Sequence, residues 1–112
     1  DNTIDYTETF RVLYLNQSNQ VLGIKTISTG GVTNSVVDVR TILQGALLTN
    51  AVAMILGHNH PSGNSKPSRE DERITDQINK AAQLLNIRVL DHIVYTRENH
   101  FSFSDHGIYC FA

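Results

Sequence analysis

The stretch Ala51-Val52-Ala53-Met54-Ile55-Leu56-Gly57-His58-Asn59-His60 decides how the rest of the chain is read. Its first seven residues are apolar without alternation, the pattern of a strand covered on both faces at the centre of a sheet. The run ends in His-x-His. In an extended backbone, side chains at i and i+2 point the same way, so the end of a buried strand presents both imidazoles to one point in space. Two neutral histidines need a third ligand to hold a metal ion. Asp71 can supply it, because Pro61-Ser62-Gly63-Asn64-Ser65-Lys66-Pro67 is loop composition that turns the chain back. Two nitrogens and one carboxylate oxygen leave a fourth tetrahedral position open on a zinc ion, which is the layout of a catalytic centre rather than a closed structural one.

Outward from this strand the elements follow from local pattern. Residues 10–15 are strand-forming, Asn16-Gln17-Ser18-Asn19-Gln20 is turn chemistry, and Val21-Leu22-Gly23-Ile24-Lys25-Thr26-Ile27 completes a hairpin. Gly30-Gly31 ends that strand, and a short extended stretch through Val36-Val37 follows. Asp38 is an N-cap for a helix over 39–49, where Val39, Ile42, Leu43, Ala46 and Leu47 share one face. Ser68 caps a second helix ending near Asn86, with Ile74, Ile78, Ala81, Ala82 and Leu85 on its apolar face. Residues 87–96 form a further strand, Arg97-Glu98-Asn99 a turn, and Phe101-Ser102-Phe103 a last short strand. The order β-β-α-β-α-β-β predicts a single α/β domain over 1–112, a mixed sheet flanked by helices, with residues 1–7 as a loose lead-in.

Charge and composition narrow the function classes. Nine Lys+Arg against eleven Asp+Glu give a net charge of -2, which disfavours a surface built to neutralise nucleic-acid phosphates. The single cysteine, Cys110, allows no internal disulfide, so a reducing cytoplasm is the expected compartment and any metal is held without sulfur. No apolar run approaches the ~18 residues needed to span a bilayer, and no signal peptide is expected. Because the chain opens at Asp1 rather than methionine, it is expected to be either processed or a fragment of something longer, which leaves room for flanking domains.

Each candidate residue also has a plain structural reading. Ser68-Arg69-Glu70-Asp71 resembles a capping box, which would make Asp71 a helix cap rather than a ligand. His58 and His60 taken singly could be loop histidines bonded to backbone or solvent, and His92, with apolar strand neighbours, reads as a satisfied core histidine. Asp91 could orient a ligand from behind. His100 and His106 read as surface residues. A hydrolytic site also needs a general base, and Glu8, at the entry to the first strand, is the one glutamate before His58, with Asp38, Asp1 and Asp5 as alternatives; it reads equally as an exposed strand-end charge.

These residues resemble the JAB/MPN metalloprotease family and its JAMM motif: a glutamate, then at a distance His-x-His, seven residues, Ser, two residues, Asp. His58, His60, Ser68 and Asp71 meet every spacing. His58-Asn59-His60-Pro61-Ser62-Gly63-Asn64, Pro67-Ser68-Arg69-Glu70-Asp71, Leu84-Leu85-Asn86-Ile87, Leu90-Asp91-His92 and Phe101-Ser102-Phe103-Ser104-Asp105-His106-Gly107 are similar to the RadC branch of bacterial proteins. The resemblance implies an α/β/α sandwich akin to the cytidine-deaminase fold, and one Zn2+ held by His58, His60 and Asp71. It implies Glu8 as base, Ser68 as oxyanion donor, and hydrolysis of an amide in a peptide or protein substrate. The branch carries a DNA-repair label, but its helix-hairpin-helix region has no counterpart in these residues, and direct nucleic-acid binding is not expected from this domain. Where many relatives carry acidic residues in the second strand, this chain has Ile24-Lys25. A non-catalytic binding module and a metal-dependent nuclease are the alternative readings.

Overall fold

The computed structural model describes residues 8–29 and 37–107. Among the described residues five strands form one sheet: β1 (Thr9–Leu15), β2 (Val21–Thr29), β3 (Ala53–Asn59), β4 (Arg88–Tyr95) and β5 (His100–Ser102). Among the same residues two helices join them, α1 (Val39–Thr49) after β2 and α2 (Arg69–Leu84) after β3. The class and element order are those expected. The lead-in at 1–7, the Gly30-Gly31 break and Val36 lie outside the described residues.

The sheet runs β2-β1-β3-β4-β5 and is mixed. β1 is antiparallel to β2 and β3, β4 is antiparallel to β5, and β3 with β4 is the parallel pair, as a crossover through α2 requires. β3 is central. Met54, Leu56 and His58 point to one face with Phe10, Val12 and Tyr14 of β1, and meet Ile42 and Ala46 of α1 and Ile74, Ile78 and Ala82 of α2. Burying each of the larger aliphatic side chains here contributes roughly 1.5–3 kcal/mol. Among the described residues both helices share this one core. The opposite face is covered more lightly than the unbroken apolar run of β3 suggests: Leu13, Ile55, Gly57 and Ile93 are half-buried and Arg11 is exposed.

Local chemistry sets the helix ends. Asp38 accepts from the Arg40 N–H to start α1, and Asn50 stops it with a left-handed φ of 57°. α1 lies close on β1, where the Tyr14 hydroxyl donates to the Ile42 carbonyl at 2.8 Å and a Cβ at Gly45 would fall 2.3 Å from that same oxygen. Only glycine fits there. No described helix is long and apolar enough to cross a membrane.

Candidate metal centre

His58 is the next-to-last residue of β3 and is wholly enclosed, packed beside Phe10 with ring centroids 5.9 Å apart. His60 leaves the strand through its N–H to the Tyr95 carbonyl (2.9 Å), and the loop then turns at Gly63, whose φ is +88°. This brings Asp71, in the first turn of α2, back over the histidines. His58 Nε2 lies 3.0 Å from His60 Nε2 and 3.0 Å from Asp71 Oδ1, and His60 Nε2 lies 3.0 Å from Asp71 Oδ2. The three residues form a group that could hold a metal ion.

Tracing the protons shows why these atoms call for a cation. The Asn64 carbonyl can only accept, so His60 Nδ1, 2.8 Å away, carries the hydrogen and the neutral ring has a bare Nε2. His58 Nδ1 meets His92 Nε2 at 2.8 Å, which leaves His58 Nε2 bare when Nδ1 is the donor. Two lone pairs and a carboxylate therefore face one point. Burial alone would raise the Asp71 carboxyl pKa, but once an imidazole of the centre takes a proton its hydrogen bond and charge, those of His58 first, outweigh burial. The Ser68 N–H and His60 add to this and hold Asp71 well below the usual carboxylate range. The centre has a full negative charge and needs either a proton on an imidazole or a metal ion to balance it.

Asp71 is also the cap that the sequence pattern allowed. Its N–H donates to Ser68 Oγ at 3.1 Å, and its Oδ2 accepts from the Ser68 N–H at 2.7 Å, a complete reciprocal box. The two readings of Asp71 are compatible, because one carboxylate has lone pairs for both. Glu8 and Ser68 stand on the rim: with His60, Pro61, Ser62, Glu70 and Asp71 they line an open cleft of about 360 Å³ above the centre. A larger hollow of about 740 Å³ lies elsewhere, between charged surface side chains of α1 and α2 such as Arg40, Arg73 and Asp76. The convergent chemistry is in the smaller one.

Sequence reasoning passed over several residues that build this site. Asn59 accepts from the Thr9 N–H at 2.7 Å and so ties the start of β1, next to Glu8, to the end of β3. Asn64 orients His60 through its carbonyl. His92, read as a core histidine, is fully buried, but it bridges His58 to Thr75 of α2. Burial, with the charge of His58 beside it, pushes His92 well below the ordinary histidine value. Asp91 faces away, accepting from the N–H groups of His92 and Ser104 and from the Ser102 hydroxyl, which pins β4 to β5. His106 is stacked on Phe101 at 3.9 Å, away from the centre.

A mixed five-stranded sheet with paired histidines at the end of its central strand, and an aspartate closing over them, defines a JAB-type domain. The chain belongs to that class through the family described as RadC-like JAB domain, whose model matches residues 2–108. It is 42% identical over 102 residues to a UPF0758 protein of Flavobacterium johnsoniae, covering 91% of this chain and 44% of that one. It is 43% identical over 101 residues to the UPF0758 protein YfjY of Escherichia coli K12, covering 90% of this chain and 63% of the relative. With YeeS of the same strain, also a UPF0758 protein, identity is 44% over 101 residues, covering 90% and 68% respectively. The chain thus spans 44% to 68% of the length of these three relatives.

Proposed function

We propose that the domain is a zinc-dependent hydrolase of amide bonds, a peptidase or isopeptidase-like enzyme acting on a peptide or protein. One observation carries this reading: the Nε2 atoms of His58 and His60 and both Asp71 oxygens converge, about 3.0 Å apart, on the floor of a cleft whose rim holds Glu8 and Ser68. Ligand atoms about 2.0–2.1 Å from a tetrahedral zinc lie roughly 3.3 Å apart, so the spacing suits that ion with little movement. Three protein ligands are few enough to leave a position for chemistry.

When bound, the ion would supply Lewis acidity to a water and to a scissile carbonyl. The remaining work is assigned to side chains. Glu8 takes the proton of the attacking water and returns it to the leaving amine. Ser68 Oγ uses its lone pair to cap α2, which leaves its hydrogen to donate to a developing oxyanion at the helix N-terminus. The same cleft argues against phosphodiester cleavage, since Glu8, Glu70 and Asp71 line it and would repel a phosphate.

The test has two stages. Purified protein should take up about one zinc per chain, and His58→Ala should not. A peptide-library screen should then find products with wild type and none with Glu8→Gln at equal zinc content; cleavage that survives this substitution would remove Glu8 as the base.

A further inference from the structure

Behind the proposed ligands runs a chain of hydrogen bonds whose direction is set by its far end. The Asp71 carbonyl can only accept, and the Thr75 hydroxyl donates to it at 2.6 Å. That uses the single Thr75 hydrogen, so toward the His92 ring Thr75 Oγ1 can only be an acceptor. His92 Nδ1 must therefore carry a hydrogen, and its Nε2 presents a lone pair to His58 Nδ1 at 2.8 Å. His58 Nδ1 is then the donor and its Nε2 is left bare, aimed at Asp71 Oδ1. Thr75, His92 and His58 are all fully buried, so water does not compete for these bonds. His92 is also held in plane by Phe103, stacked at 4.7 Å, with Phe10 edge-on at 5.7 Å.

We propose that Thr75 and His92 are positioning residues that hold His58 in the Nδ1–H tautomer, keeping its Nε2 free to bind the ion. The circuit begins and ends on Asp71, whose backbone anchors the chain while its carboxylate faces the nitrogen that the chain sets free. It thereby links the strand carrying one ligand to the helix carrying another. This deepens the zinc reading and rests on it for the identity of the ion, but the tautomer itself is a property of the metal-free protein.

Thr75→Val keeps the shape and removes the acceptor. His92 then gains by moving its hydrogen to Nε2 and donating to His58 Nδ1, which places the His58 hydrogen on Nε2, in the centre. Loss of such an outer partner typically lowers metal affinity by roughly ten- to a hundredfold. Chelator competition should show a fall of that order for Thr75→Val and recovery with Thr75→Ser, which restores the hydroxyl. The decisive readout is nitrogen-15 NMR of the imidazoles in metal-free wild-type protein, which should show His58 hydrogenated at Nδ1 and His92 at Nδ1. If His58 is hydrogenated at Nε2 in wild type, the proposal fails whatever the variants do. Zinc affinity in a folded Thr75→Val within twofold of wild type overturns it too. A wild-type chain that binds no zinc but shows the expected tautomers defeats the zinc reading and leaves the relay standing.

Discussion

Asp71 is both a proposed ligand and half of a capping box, and two substitutions should separate these roles. In Asp71→Asn the amide oxygen can take the place of Oδ2 and keep the 2.7 Å bond from the Ser68 N–H, while the amide nitrogen takes the place of Oδ1 and donates to His58 Nε2, 3.0 Å away. The cap bond is preserved, so metal-free Asp71→Asn should lose only the charge interaction with the imidazoles that holds this carboxyl below its usual range. Asp71→Ala leaves the Ser68 N–H without its acceptor and removes half the box. We expect it to lose about 2 kcal/mol more than Asp71→Asn does, or about 8 °C of Tm at roughly 4 °C per kcal/mol for a domain of this size. Zinc should widen the gap between wild type and both variants. At a free concentration a hundredfold above Kd, wild type gains about 2.7 kcal/mol, near 10 °C. If Asp71→Asn weakens binding at least a hundredfold, its gain at the same concentration is at most about 0.4 kcal/mol, under 2 °C. Thermal melts of the three proteins with and without zinc provide the assay. An equal zinc shift in Asp71→Asn and wild type would refute the ligand role; equal apo stability of Asp71→Ala and Asp71→Asn would refute the cap.

Three further outcomes are expected. Gly45→Ala should destabilise by about 2 kcal/mol in urea unfolding, despite roughly 1 kcal/mol of helix propensity gained, because its Cβ would sit 2.3 Å from the Tyr14 oxygen and displace the bond to Ile42; a more stable variant would show the α1 packing to be wrong. Burial pushes the Tyr14 hydroxyl up to about 12 from an ordinary 10, so its contribution is whole below pH 10 and lost as pH rises towards 12, about 3 kcal/mol in all. Tyr14→Phe should flatten the alkaline fall of stability in that window. Asn59→Ala should free the start of β1, lowering kcat on any peptide substrate at least tenfold while zinc affinity stays within about twofold, since Asn59 bonds Thr9 and not the proposed ligands; a loss confined to zinc affinity would contradict this placement.

What could be read in the sequence was what local pattern determines. The Asp38 cap, the span of α1 and the unbroken apolar run of β3 each depend on neighbours within a turn or a strand, and each stands where expected. The grouping of His58, His60 and Asp71 was legible because these residues lie on a strand end, a short loop and a helix start. The role of His92 was not, because it depends on β4 lying parallel to β3 with Leu56 opposite His92, and on Thr75 reaching down from α2. Asn59, the variable residue of His-x-His, gives no signal until β1 is placed beside it. Asp71 was ambiguous because helix caps and metal ligands draw on the same carboxylate chemistry, and here the geometry serves both.

The bond from Thr9 to Asn59 joins residues 50 apart in sequence, whereas His58, His60 and Asp71 fall within a single strand, loop and helix turn. Closing the short segment costs less chain entropy than docking the N-terminal hairpin, and it has less far to search. The three proposed ligands can therefore come together early in folding, on a β3-to-α2 unit that has yet to meet β1. Glu8 comes into place only when β1 pairs with β3. On the proposed function, a half-folded chain of this kind would hold its ion before its base was in place to cleave anything, its own exposed backbone included.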